Sequence, residues 1–376
     1  MTESDPKELF KPFKFDKPLF FILLVLIAMG LLMVFSSSAV LAAENHQNSF
    51  HFLLHQSIGA GLGMLMLFVM LTIRRPFYQD PLFVYGLLFF SLVLLVMCFV
   101  MPSIGHTNRW ISFYGFRFQP SEISKISLIL FFALYFSKKQ NKIADWPTLI
   151  VPLSVLSLFI LLILKEPDYG TALLILVICT VMFYIGGVKL TSLLLLGAGS
   201  TAVFTFYLLQ ASYRMERILA FVSPDQDPLG NGFQVIQSKL AVGSGGLFGV
   251  SLGESIQKLF FLPCAHTDYI FAIIGEELGL IGTLAILLLF AAFLWRGLVI
   301  SRRAPNLFCQ MTAAGLTIAI FFQALLNISI VLGLGPPTGL PLPLISYGRS
   351  SLLTTILGIG ILLHISQRRT AYRKKK

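Results

Sequence analysis

Charge is what this 376-residue chain has least of. Asp, Glu, Lys and Arg make up 12% of it, against 56% hydrophobic residues and a mean hydropathy of +0.83. A soluble domain needs about a quarter charged residues to solvate its surface, so a soluble fold is excluded and a polytopic membrane protein is indicated. Cysteine is scarce as well. Cys98, Cys179 and Cys309 lie in or beside apolar runs and Cys264 stands alone in a polar loop, which supports neither a disulfide framework nor a zinc site. Acids are outnumbered, 17 to 28, for a net charge of +11. In a membrane protein such an excess reports orientation rather than nucleic-acid binding, and no nucleic-acid partner is expected.

What is present is a series of apolar runs, at 19–43, 52–73, 82–101, 122–136, 148–164, 170–186, 190–209, 268–295, 308–333 and 350–365. A helix crosses a bilayer with about 20 residues, so the expected fold is all-α with ten transmembrane helices. The first run ends in small residues like a cleavage site but is long for a signal-peptide core, and it reads as an uncleaved helix. Ten spans put both termini on one side. With an inside N-terminus, 19 of the 28 Lys and Arg fall on cytoplasmic segments, among them Arg74, Arg75, Lys138, Lys139, Arg302, Arg303, Arg368 and Arg369. The expected organisation is a cytoplasmic tail 1–18, one membrane domain 19–366 and a basic cytoplasmic tail 367–376.

Runs four, six and ten are short, with about 14 to 17 apolar residues. Each descends from the outer side and follows a polar motif: RWISFYGFRFQPSEISK (Arg109 to Lys125), KEPDYGT (Lys165 to Thr171) and GLPLPLISYGRSS (Gly339 to Ser351). Irregular backbone at that depth is tolerated where it is buried in protein or lines a wet cavity, so a polar cavity open to the outer leaflet is expected. Bilayer thinning around short helices is the blander alternative. The segment 211–266 forms a large outer loop between helices seven and eight, a length usually associated with function. Its Gly-rich stretch Ala241 to Ser255 lacks the Gly-Lys-Ser/Thr ending of a nucleotide loop and reads as a flexible or re-entrant segment.

The acids of AHTDYIFAIIGEELG (Ala265 to Gly279) stand where a polar loop enters a span. Asp268 opens the helix and can cap it, or act as a general base on a sugar hydroxyl. Glu276 and Glu277 are expected to pair with polar groups in the bundle. Glu122 and Lys125, three apart, can pair on one helix face, either to neutralise a short helix or to bind substrate. Asp168 reads as a cap or a ligand. Arg109, Arg117, Arg214 and Arg217 are candidates for phosphate or for headgroup anchoring. His266 with Asp268 has weak metal-ligand spacing and no closed ligand set.

Taken together, RWI with FQPSE and Lys125, EPDYGTAL (Glu166 to Leu173), DPLGNGFQVIQSKLAVGSGGLFG (Asp227 to Gly249), the Ala265 to Gly279 stretch, FQALLNI (Phe322 to Ile328) and GLPLPLISYG (Gly339 to Gly348) resemble the SEDS family (shape, elongation, division and sporulation) of membrane peptidoglycan polymerases. AHTDYIFAIIGEELG and ESIQKLFFLP look like its division or sporulation branch, the FtsW/SpoVE-like one. The resemblance implies ten helices, polymerisation of lipid II, a class B penicillin-binding protein transpeptidase as partner, other division-complex membrane proteins, and a place in the bacterial inner membrane at the septum. It implies Asp268 as catalytic acid, with Glu122, Lys125 and Asp168 among the supporting cavity residues; Arg109, Arg214, Arg217, Lys239, His266, Thr267, Ser346 and Arg349 are further substrate-binding candidates. Two positions depart from the family: Cys264 stands where a Glu is common and Arg349 where a second Gly is. The first makes an acid there dispensable. The second adds a cation for pyrophosphate or an anchor for the tenth helix.

The implied mechanism is inverting glycosyl transfer. Asp268 deprotonates the acceptor 4-hydroxyl, and cations or a divalent metal, Mg or Mn, stabilise the leaving undecaprenyl pyrophosphate. A lipid II flippase and a non-catalytic division scaffold are the rival readings.

Overall fold

The computed structural model describes residues 14–101, 109–113, 116–140, 146–209, 215, 219, 221–224, 230 and 232–373. The helices are α1 (Lys17–His46), α2 (His51–Thr72), α3 (Pro81–Val100), α4 (Pro120–Lys138), α5 (Trp146–Lys165), α6 (Tyr169–Gly186), α7 (Leu190–Leu209), α8 (Phe233–Ser244), α9 (Ile270–Arg302), α10 (Leu307–Val331) and α11 (Arg349–Arg373). Among the described residues nine of them are long and apolar enough to cross a membrane, and the 20-residue α7 follows the same pattern as the tenth. α8 is the helix of the large loop. Starts are marked by side-chain caps: Asp16 accepts from the Leu19 amide, Asp80 from Leu82 and Asn306 from Cys309.

The core sits around α4 and α11. Of their apolar windows 83% and 89% are buried, against 28% and 22% for α2 and α3 at the periphery. The short apolar runs lie in helices of 19 and 18 residues at α4 and α6 and in a longer helix at α11. That helix runs 25 residues because its polar end, His364 to Arg373, continues the apolar run in helical form. The other departure from an all-helical reading is a small antiparallel hairpin, β1 (Ile111–Phe113) with β2 (Phe116–Phe118), in register Ser112 opposite Arg117.

One end of the bundle gathers basic residues. Arg296 of α9 binds Asp16 at the start of α1 (2.5 and 3.1 Å), and the Asp16 amide reaches Ser366 near the end of α11 (3.0 Å). Tyr78 bonds His364 (2.7 Å) and Arg368 donates to the Arg74 carbonyl (2.6 Å). The start of α1, the α2–α3 connection and the last turns of α9 and α11 therefore share this end.

α9 is broken at Gly279 (φ 65°, ψ −160°), a conformation that L side chains rarely adopt. The chain after α8 threads into the break. Leu280 and Ile281 donate to the carbonyls of Gly246 and Leu247, while Val250 and Ser251 donate to those of Glu276 and Glu277. The two acids fix the same strand of chain. Glu276 accepts from the Ser255 hydroxyl and the Ile256 amide (3.0 Å), and Glu277 from Ser36 of α1 (2.6 and 2.7 Å) and the Lys258 ammonium (2.8 Å). The glycines of this stretch approach another backbone, Gly245 at Gly275 and Gly249 at Glu277.

Candidate active site

At the end opposite the basic cluster, the turn 264–269 leads into α9. Cys264 takes a left-handed conformation (φ 58°), so its carbonyl accepts from the amides of Thr267 and Tyr269 and from the Thr267 hydroxyl. Asp268 lies two residues before the helix rather than in it, and Tyr269, the N-cap, offers no side-chain cap.

The position of Asp268 is set through the backbone. Asn327 of α10 donates both to the Asp268 carbonyl and to that of Leu340 (2.7 Å each), tying the turn to the α10–α11 connection. The Ser346 hydroxyl donates to the Thr267 carbonyl (2.5 Å) and accepts from the Leu342 amide (2.8 Å), and the Tyr347 amide bonds the His266 carbonyl (3.0 Å). Gln56 of α2 holds both sides of that loop, donating to the Ser346 carbonyl and accepting from the Gly348 amide.

Gly339 (φ 73°) shows what faces what. A Cβ placed there would stand 3.5 Å from Asp268 Oδ2 and 3.6 and 3.9 Å from the Arg109 guanidinium nitrogens. The carboxylate and the guanidinium thus flank one side-chain-free position. Arg109 lies by the Trp110 ring (5.9 Å), and its buried Nε has no hydrogen-bond partner among the described residues. Burial, then Asp268, pushes the Cys264 thiol up, with Arg109 opposing. His266 packs on Phe52 (4.8 Å between ring centroids) and Tyr347 (5.8 Å), and burial lowers it to about 4, so it is neutral beside Asp268 at physiological pH. Burial raises the Tyr347 hydroxyl, while Arg349 and Arg117 act on it in the opposite direction.

Two buried clusters back this turn. Lys125 bonds Glu122 (3.0 Å) and Gln323 (2.7 Å), Thr354 donates to Glu122 (3.0 Å), and Gln323 donates to the Pro341 carbonyl (3.0 Å). Glu122 is 2% exposed beside a cavity of about 30 Å³, the size of one water. The pair is neutralised and also braces the loop that carries Gly339. Asp168 caps α6 through the Thr171 amide (3.2 Å) and accepts from Gln119 (2.8 Å) and Ser121 (3.4 Å). Glycine at 170 lets α6 press on Thr338 and Leu340.

Sequence reasoning overlooked Glu166. It is 0% exposed, and its carboxyl oxygens have no nitrogen or oxygen partner among the described residues. Burial, then Asp168, raises it to about 9, with the Cys98 thiol as polar neighbour. Its signal was the spacing of two acids in EPD. Asn327, Gln323 and Gly339 were likewise visible only as parts of motifs.

The other candidates scatter. Arg349 begins α11 and lays its stem over Gly59; exposed Lys239 of α8 lies over Gly333, at the start of the α10–α11 connection. Ser346 is buried in the scaffold. Arg214 and Arg217 lie outside the described residues. Among the described residues no three His, Cys, Asp or Glu converge as a metal-ligand set.

A family model described as "Cell cycle protein", that of FtsW, RodA and SpoVE, matches residues 17–371. The chain is 41% identical over 366 residues to a probable peptidoglycan glycosyltransferase FtsW of Trichlorobacter lovleyi, covering 95% of each. It is 40% identical over 363 residues to stage V sporulation protein E of Bacillus subtilis, covering 94% of this chain and 97% of that one. A solved structure described as "Structural coordination of polymerization and crosslinking by a peptidoglycan synthase complex" is similar with a TM-score of 0.78 and 30% identity, over 96% of this chain and 99% of that one.

Proposed function

Because the chain belongs to the FtsW, RodA and SpoVE family, we propose that it is a peptidoglycan glycosyltransferase that polymerises lipid II. The observation that carries the chemistry is the Asp268 carboxylate facing the Arg109 guanidinium across Gly339. Asp268 takes the proton of the acceptor 4-hydroxyl as that oxygen bonds the donor's anomeric carbon. The bond from that carbon to undecaprenyl pyrophosphate breaks with inversion, and the pyrophosphate leaves with the electron pair. A guanidinium fixed beside the reacting centre stabilises the charge that develops there; Arg109 is so placed, with Arg117 and Arg349 around Tyr347 as further cations. A divalent ion, Mg or Mn, would help neutralise the leaving pyrophosphate, although among the described residues no set of ligands gathers to hold one. An apolar cavity of about 590 Å³ between α5, α6 and α7, lined by Leu156, Ile160, Leu164, Leu176, Leu193 and Leu196, is suited to the isoprenoid chain.

The basic end faces the cytoplasm in this reading, which puts both termini inside and Asp268 on the outer side of the bacterial inner membrane. The septum is the site, and a class B penicillin-binding protein that crosslinks the strands is the partner, with other division-complex proteins beside it. The test is reconstitution into liposomes with lipid II, scored separately for glycan polymer and for lipid translocation. Polymer is expected. Translocation without polymer supports a flippase, and neither product, alone or with the transpeptidase, supports a scaffold.

A further inference from the structure

Much of the chain between α8 and α9 is tied to α9 and to itself by hydrogen bonds. Besides the four backbone bonds across the Gly279 break, Gly249 donates to Gly245, Leu259 to Ile256 and Leu262 to Gln257. Glu276 takes the Ser255 hydroxyl and the Ile256 and Gln257 amides, and the buried Lys258 ammonium is paired with Glu277. Irregular backbone near a membrane is tolerated where it is packed and bonded against protein, as this segment is against α9.

The side chains this segment turns outward are apolar. Leu247 is 62%, Phe248 78% and Ile256 63% exposed, and Leu252, Phe260 and Phe261 are exposed too. A contiguous apolar patch of this kind marks a surface covered by something other than water. Its level is fixed by α9. Ile270 to Glu277 are buried in protein, and the helix first shows large apolar side chains outward at Leu280, Ile281, Leu284 and Leu288. The Ile281 amide is bonded to the carbonyl of Leu247 itself, so Leu247 and Phe248 continue the lipid-facing surface of α9.

We infer that residues 247–261 form a re-entrant wedge seated in the leaflet on the Asp268 side, and that phospholipid acyl chains cover its outward face. Exposed Glu254, between the two apolar stretches, stands at headgroup level. The large loop is then in part a membrane element, independent of what reaction the protein performs.

The experiment uses the unmodified full chain in phosphatidylcholine vesicles carrying a photoactivatable diazirine either in the acyl chain or on the headgroup, with adducts mapped by mass spectrometry. The acyl-chain probe is expected to label 247–261 within about threefold of its yield on the Leu280 to Leu288 face, and the headgroup probe to favour the vicinity of Glu254. Headgroup adducts alone on 247–261 would overturn the inference. So would a segment labelled no better by the acyl-chain probe than the connection Arg303 to Asn306, whether water or another protein covers it.

Discussion

Glu277 and Asp268 lie nine residues apart at the same end of α9 and are built in opposite ways. Glu277 is saturated, with its carboxylate held by Ser36 and a buried lysine. Asp268 is fixed through its carbonyl by Asn327, and its carboxylate faces Arg109 across Gly339. The difference separates an acid tied into the bundle from the one proposed as the base. Burial and charge alone would have ranked Glu277 first.

The widest separation should come from breaking the saturated acid. Glu277→Gln leaves the Lys258 ammonium buried without a counter-charge, which costs about 3–5 kcal/mol. Thermal unfolding in detergent should show a large loss, and Glu277→Leu combined with Lys258→Met should recover much of it. Arg109→Ala is expected to lower polymerisation about 100-fold with little change in melting temperature, as for removal of one fixed donor at a charged transition state. An equal fall in melting temperature would make Arg109 structural instead.

Glu166→Gln is expected to change a slope with pH rather than to abolish a property. Glu166 stands at about 9 instead of 4.5, so at neutral pH the folded chain holds a proton that the unfolded chain has released. Native stability contributed by this group therefore falls as pH rises from about 4.5 to about 9. Glutamine removes that slope. The melting temperature of the variant relative to the parent should climb across the window and level off above it, and a flat difference would contradict the buried, uncharged state.

Most of the fold was legible because hydropathy reports lipid exposure directly. The ten apolar runs fall on ten helices, and the reading that Glu276 and Glu277 pair inside the bundle agrees with their bonds to Ser255, Ser36 and Lys258. What stayed hidden depends on partners far away in the chain. The break at Gly279 sits inside GEELG, a stretch with a helical pattern, and it exists because the chain from Gly245 to Ser251 replaces the lost helix bonds. The hairpin that follows Arg109 is too short to carry a strand signal. Glu166 was overlooked because its polar neighbour, the Cys98 thiol, lies on α3, which no local pattern records. Asp268 itself was found by its place at the entry to a span, while its fixing by Asn327 and its facing of Arg109 needed coordinates.

The most direct measurement pairs two readings on one preparation of Asp268→Asn: the rate of glycan formation from lipid II and the melting temperature. Removing a general base lowers rates by about 10²–10⁴-fold, and asparagine keeps the shape of the turn, so polymerisation should vanish while the melting temperature stays at the parent value. Polymerisation near the parent rate, or its loss only together with the fold, would contradict the assignment of Asp268 as the base.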